Sequence, residues 1–411
     1  MHIKIYSLPL LFFLLLGCAK GTHAQYPFVQ TEANYLHYDT NSATMRHFVE
    51  KWQQVTSSGK GHVSIMHIGS SHVQAGTLPH RVRKNLLTHY PNLVSDRGMV
   101  FPYSAAAKCN NPADYKIHCP EAVSLTRNVY KEPEHDLGLC GIAITAHDSM
   151  THIQMVMDVP SQSYPIRFES TKITVLGESE DFVVPLLSID GDTLPPSKIR
   201  LGTRRFEFSL PHPVDSFEIL IPCDSAQSFT LTGVYLANGH PGISYSSIGV
   251  NGASLNDYLR CPDFEQDLQL VKPDLVIFGI GINDAFGSDF DTVAFQNQYI
   301  ALAQRIRSVN PDCAFIFITN NDCYHKKGRR SYSVNQNGPL AREAFYRIAQ
   351  ATEGAVWDQF EIMGGLKSME KWQKAKLAQS DRVHFTHAGY QLLGDLLSEA
   401  ILKTTSKNPN P

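Results

Sequence analysis

At 411 residues the chain is longer than one ordinary domain and suits two. Its 43% hydrophobic, 18% charged and 10% aromatic content is that of a folded soluble protein. A formal net charge of -3 gives no electrostatic case for nucleic acid, which calls for a basic patch or stripe, and the 18 scattered histidines do not by number alone point to a metal.

The chain opens with a short apolar run, Leu8 to Leu16, behind His2 and Lys4. It is too short to span a bilayer stably and reads as a secretory signal. Two cleavage readings compete. Thr22-His23-Ala24 before Gln25 suits ordinary cleavage and makes residues 1–24 the signal peptide, whereas Leu15-Leu16-Gly17-Cys18 resembles a lipobox that leaves Cys18 acylated. Export to the periplasm or cell envelope is the expectation, with membrane contact only through such an anchor. An oxidising compartment lets Cys109 pair with Cys119, or Cys313 with Cys323, while Cys140, Cys223 and Cys261 stand alone. The plain alternative is that they are buried small hydrophobes. No Cys-x-x-Cys spacing supports zinc, and no metal or organic cofactor is expected.

Next comes His62-Val63-Ser64-Ile65-Met66-His67-Ile68, an apolar β-prone run ending at Gly69, then a helical face at Leu78, Val82, Leu86 and Leu87. From about Ala105 to Gly242 helical periodicity fades. Strand candidates there are His152–Met157, Lys172–Leu176, Arg205–Leu210 and Phe217–Ile221, with turn signals at Asp190-Gly191-Asp192 and Pro211-His212-Pro213. That spacing predicts an inserted β-sandwich or jelly roll. Beyond it, strand Asp274–Ile280, a helix through Phe295, Tyr299, Leu302, Ile306 and Val309, strands Ala314–Thr319 and Ala355–Trp357, and a last helix through Leu392 to Ile401 restore the alternation. Strand and helix in turn predict a parallel sheet covered on both faces, hence a three-layer α/β, flavodoxin-like domain. Its parts are residues 25–104 and 243–405, with 105–242 inserted between them.

Four segments carry candidate chemistry. In Gly69-Ser70-Ser71-His72-Val73-Gln74-Ala75-Gly76, between strand end and helix start, a serine hydroxyl reaches the sheet edge and its N–H lies at a positive helix terminus. A serine there could equally be a helix cap. Asn251-Gly252 reads as a hairpin turn, or as a glycine N–H brought close to a substrate. Gly279-Ile280-Gly281-Ile282-Asn283-Asp284 lacks the third glycine of a dinucleotide fingerprint, and Asn283 at a strand's end can direct its amide into a site. Asp381 and His384, three apart before the last helix, let one turn bring carboxylate to imidazole. Parallel strands place their carboxyl ends on one edge, so the four segments together supply nucleophile, base, orienter and oxyanion donors.

In this order the segments resemble the SGNH (GDSL-like) hydrolase family, named for a Ser, Gly, Asn and His in four blocks. The resemblance implies Ser71 as nucleophile, His384 as base, Asp381 as its partner, and Ser71, Gly252 and Asn283 as oxyanion donors. One residue departs from the pattern: the family has Asp immediately before the nucleophile, and this chain has Ser70. The phrases Gly98-Met99-Val100-Phe101-Pro102-Tyr103, Met363-Gly364-Gly365 and Leu377-Ala378-Gln379-Ser380-Asp381 further resemble bacterial peptidoglycan O-acetylesterases, which carry an inserted carbohydrate-binding-like β-sandwich. This implies removal of acetyl groups from a polysaccharide, with the acetylated glycan as partner. An O-acetyltransferase using the same triad, or a non-catalytic glycan-binding envelope protein, are the alternatives.

Overall fold

Six strands form one sheet whose interior members are buried on both faces. They are β1 (Leu36–His37), β2 (His62–Gly69), β3 (Gly242–Gly249), β4 (Leu275–Gly279), β5 (Ala314–Ile318) and β6 (Ala355–Trp357), in the order β1-β6-β5-β4-β2-β3. All neighbours run parallel except β1, which pairs antiparallel with β6 at one edge. Every residue of β5 and β6 is buried, as expected of strands covered by helices on both sides. The computed structural model describes residues 25–106, 109–110, 112, 114–147, 150–157, 168–329 and 331–406. Both readings of the amino-terminal signal, and Cys18 with them, fall outside those residues.

Helices gather in two groups. One holds α1 (Ala43–Ser58), α3 (Thr77–His89) and α10 (His387–Thr405), with α10 packed along α3. The other holds α4 (Leu255–Leu259), α5 (Phe264–Val271), α6 (Thr292–Val309) and α7 (Asn337–Thr352). The apolar stripes read from the sequence are the buried ones: Leu78, Val82, Leu86 and Leu87 in α3, and Phe295, Tyr299, Leu302 and Ile306 in α6. Side chains start two of them: Asp291 accepts from the N–H groups of Val293 and Ala294 at 2.8 and 3.1 Å, and Thr386 from Gly389 N–H at 3.3 Å. Among the described residues no helix is long and apolar enough to cross a membrane.

The middle of the chain forms two antiparallel sheets of five and seven strands. Their strands alternate as half-buried strands do; Phe217, Ile219 and Ile221 point inward from Ser216–Pro222, as do Thr151, Ile153 and Met155 from Met150–Val156. The seven-stranded sheet also takes in Gly98–Val100, upstream of residue 105, which pairs with Val234–Leu236. Asp190-Gly191 makes the two-residue hairpin expected of it, with Ile189 facing Asp192 and both turn residues at positive φ. The other turn signal does not hold. Pro211-His212-Pro213 lies inside strand Arg205–Val214, where the register shifts between Ser209 and Val214. A bulge has no ladder hydrogen bond for proline to lose.

The sandwich is docked firmly on the parallel domain. Arg260, just after α4, donates to the carbonyls of Asn128, Tyr130 and Lys131, and Arg204 pairs with both Glu178 and Asp263. Buried Asp267 of α5 accepts from Leu139 N–H at 3.1 Å. Neither possible disulfide forms: none of Cys109, Cys119, Cys140, Cys223, Cys261, Cys313 and Cys323 is in a disulfide, and five of them are buried in the manner of small apolar side chains.

Candidate active site

Three glycines end adjacent strands at one level. Gly69 faces Gly249 on one side and Gly279 on the other. A Cβ on Gly69 would meet Val73 Cγ2 at 2.2 Å, and one on Gly249 would meet Gln74 N and Ser70 O at 2.5 Å. Only a bare backbone row lets the chain after β2 fold back flat on the sheet edge. It does so as α2 (Ser71–Gln74), a single turn closed by N–H groups of Val73 and Gln74 donating to Ser70 O at 3.1 and 2.9 Å. The sequence puts Ser71 between the strand end and the start of a long helix. That helix begins only at Thr77, because Gly76 at φ +76° breaks the path. Ser70 does not cap either; its hydroxyl is buried and meets no polar partner.

Ser71 heads the turn and its Oγ lies 2.9 Å from Nε2 of His384. His384 Nδ1 lies 2.7 Å from Oδ2 of Asp381. An ionised carboxylate only accepts, so Nδ1 carries the proton and Nε2 is left to accept from the serine hydroxyl. The other carboxylate oxygen of Asp381 accepts from the N–H groups of Val383 and His384 at 2.9 and 3.0 Å, the single turn that a three-residue spacing allows. Burial pushes the Asp381 pKa up, but the His384 hydrogen bond and these two N–H groups outweigh it and bring it down to about 2.

Asn251-Gly252 is not a hairpin. Gly252, at φ +87°, lies in the loop between β3 and α4 with open space where a side chain would stand. Asn283 follows β4 and donates one amide hydrogen to Ala253 O in that same loop at 2.9 Å, which leaves the second hydrogen for another acceptor. Beside it Asp284 accepts from Leu255 N–H at 3.0 Å, and burial raises its pKa to about 6. Among the described residues no group of three or more His, Cys, Asp or Glu side chains converges as metal ligands would.

Several residues the sequence reading did not single out hold this arrangement. Gln74 accepts from Asn251 N–H at 2.7 Å, tying the serine turn to the Gly252 loop. His72 bonds Tyr390 OH through Nδ1 at 2.8 Å and packs its ring 5.2 Å from that of His384. Its Nε2 is shut from solvent, and burial, with His384 adding to it, lowers its pKa to about 3, so it stays neutral. Arg382, between acid and base, takes φ +58° and lays its guanidinium between the rings of Tyr324 and Tyr332, 5.0 and 4.7 Å from their centres. Glu370 and Gln373 accept from it at 3.1 and 2.9 Å. His72 and Gln74 stand inside the serine segment, but their partners lie up to 318 residues away, and no local pattern announces that.

Fold and matched sequence point by similarity to one class, the GDSL-like hydrolases. Residues 227–392 match the model of the GDSL-like Lipase/Acylhydrolase family, and the chain carries a domain of that family. The matched stretch holds Gly252, Asn283, Asp381 and His384; the Ser71 segment lies before the insertion and outside it. No curated protein sequence matches the chain. Among solved structures, one described as a peptidoglycan O-acetylesterase in action is similar at 19% identity, covering 90% of this chain and 99% of that chain with a TM-score of 0.73. The fold is therefore shared over nearly the full length of both. A family two carbohydrate esterase from Cellvibrio japonicus is similar at 10% identity over 71% of this chain and 98% of that chain, TM-score 0.27. An acetyl xylan esterase from Geobacillus stearothermophilus is similar at 22% identity over 40% and 73%, TM-score 0.28.

Proposed function

We propose that this protein is an O-acetylesterase of a cell-envelope polysaccharide, with peptidoglycan as the first substrate to test, working through Ser71, His384 and Asp381. The observation that carries the reading is the chain of contacts from Ser71 Oγ to His384 Nε2 at 2.9 Å and from His384 Nδ1 to Asp381 Oδ2 at 2.7 Å, at the carboxyl edge of a parallel sheet. Ser71 Oγ attacks the acetyl carbonyl as His384 takes its proton. The oxyanion is met by the N–H groups of Ser71 and Gly252 and by the free amide hydrogen of Asn283. His384 returns the proton to the leaving sugar oxygen, then activates water to release acetate from the acyl-enzyme. The sandwich is a surface for the glycan, since every residue with a chemical role lies outside it. Export belongs to the same reading, and sequencing the mature amino terminus tests it.

Acetate release from O-acetylated peptidoglycan, acetylated xylan and acetylated sialic acid, with a fluorophosphonate label on Ser71, tests the proposal. Labelling at Ser71 with acetate release from peptidoglycan is expected. No labelling and no release from any of the three would overturn it.

A further inference from the structure

Beside the triad stands a small antiparallel hairpin, Tyr324–Lys326 paired with Tyr332–Val334. Its base is built into the site. Tyr332 OH donates to Ser380 O at 2.9 Å, one residue before Asp381, and Tyr324 N–H donates to Arg382 O at 3.1 Å. On its other flank the His325 ring packs on Phe286 at 4.4 Å, three residues after Asn283. The hairpin therefore wedges between the loop that carries acid and base and the loop that carries the amide donor.

Its tip has a different character. Lys326, Lys327 and Arg329 put three fixed cations in four residues with no acid among them, in a chain whose net charge is -3. Lys326, Lys327 and Arg329 are exposed. Among the described residues no ion pair uses them; Glu370, beside the hairpin's base, is engaged with Arg382. Three paired residues per strand reach roughly 10 Å from the base. That is about one screening length at physiological salt, so the tip's field extends over whatever polymer lies across Ser71. Exposed cations held beside a site raise the local concentration of an anionic substrate.

We infer that the basic hairpin is a subsite for negative charge, and that the substrate is an acetylated glycan carrying carboxylates within a few sugars of the scissile ester. This rests on the O-acetylesterase reading and narrows it. Neutral acetylated polymers would be cleaved without the hairpin's help.

The test compares O-acetylated oligogalacturonate with the same oligomer after its carboxylates are converted to methylamides, and p-nitrophenyl acetate as a reference. The enzymes are the wild type and the Lys326→Gln/Lys327→Gln/Arg329→Gln variant, which alters only exposed side chains. At low salt the wild type is expected to favour the carboxylated oligomer by about tenfold in kcat/KM, through KM. That preference should vanish in the variant, and also at about 1 M salt, where screening acts within ~3 Å. Turnover of p-nitrophenyl acetate should be unchanged in the variant. Equal rates on both oligomers, a preference that survives the substitutions, or cleavage of p-nitrophenyl acetate with neither oligomer attacked would each overturn the inference. Failure of the wild type on all three substrates would instead sink the esterase reading beneath it.

Discussion

Replacing Ser70 by Asp restores the residue that the SGNH pattern has before its nucleophile, yet here it should harm the protein. Ser70 is fully buried, its Oγ touches no polar group, and a side chain at this point lies under a turn pressed on Gly249. The same neighbourhood gives a scale for the cost. Asp284, which does have one N–H partner, is still raised by burial from 3.8 to about 6, a difference worth about 3 kcal/mol against its ionised form. A carboxylate at 70 with no partner should lose at least about that much. The sign follows from proton linkage: the folded state would hold the proton more tightly than the unfolded one, so the penalty is absent below about pH 4. It grows as pH rises from there toward the folded pKa and levels off above it. Melting temperature of Ser70→Asp and wild type from pH 4 to pH 8 measures it, beside kcat on p-nitrophenyl acetate. A gap that widens with pH and a lower kcat are expected. A mutant equally stable at pH 7 and faster would mean that the loop already offers that carboxylate a home.

Ser71→Ala and His384→Ala should each abolish burst and turnover on p-nitrophenyl acetate with the melting transition intact, leaving at most a rate roughly 10³-fold over water; wild-type turnover in either would remove that residue from the mechanism. Asn283→Ala should lower kcat about 10²-fold with KM little changed, because the charge it meets exists only in the transition state; a change confined to KM would make it a ground-state contact. Arg382→Ala removes a guanidinium held between two rings and a carboxylate, contacts worth about 1–2 kcal/mol, and should cut kcat about tenfold. Arg382→Gly, which also relieves φ +58°, should lose as much; full activity in both would show that the loop needs no clamp. Asp381, brought down to about 2, is depressed and so remains ionised as pH falls to that value. Asp381 should therefore add no ionisation to kcat/KM above about pH 4, and a slope of two in the acid limb there would contradict the Asp381 assignment.

What the sequence made legible was what neighbours along the chain decide. Runs such as Leu275–Gly279 and Ala314–Ile318 are apolar enough to be buried on both faces wherever they end up, and each ends at a loop that must lie at the sheet edge. Asp381 and His384 are three apart, so their contact is nearly local. What stayed hidden depended on tertiary partners. The break at Gly76 that detaches the Ser71 turn from α3 is a matter of one φ angle. Cysteines close in sequence do not pair, because packing rather than spacing places Cys313 and Cys323. The prolines at 211 and 213 read as a turn until the bulge in their strand is known. Nothing local marks Arg382, which stands between two catalytic candidates; the rings it meets come from a hairpin some fifty residues earlier.

With a neutral residue at 70, the serine turn is held by other means, and these join the two domains. Tyr258 OH donates to Gly69 O at 2.9 Å, just before the turn. Tyr103, on the segment that enters the sandwich, donates to Gly249 O at 2.9 Å, just before the Gly252 loop. Gln74 then bridges turn and loop through Asn251 N–H. Tyr115 continues the link by donating to Phe101 O at 2.6 Å from within the inserted region. The Ser71 turn, the Gly252 loop and the root of the insertion thus share one short chain of buried hydrogen bonds. On the proposed function, a glycan held by the sandwich would meet Ser71 in a fixed frame rather than on a tether, because Arg204, Arg260 and Asp267 hold the sandwich to α4 and α5 on the neighbouring side. The insertion's entry strand already pairs with it at Gly98, before the point where composition alone marks a boundary.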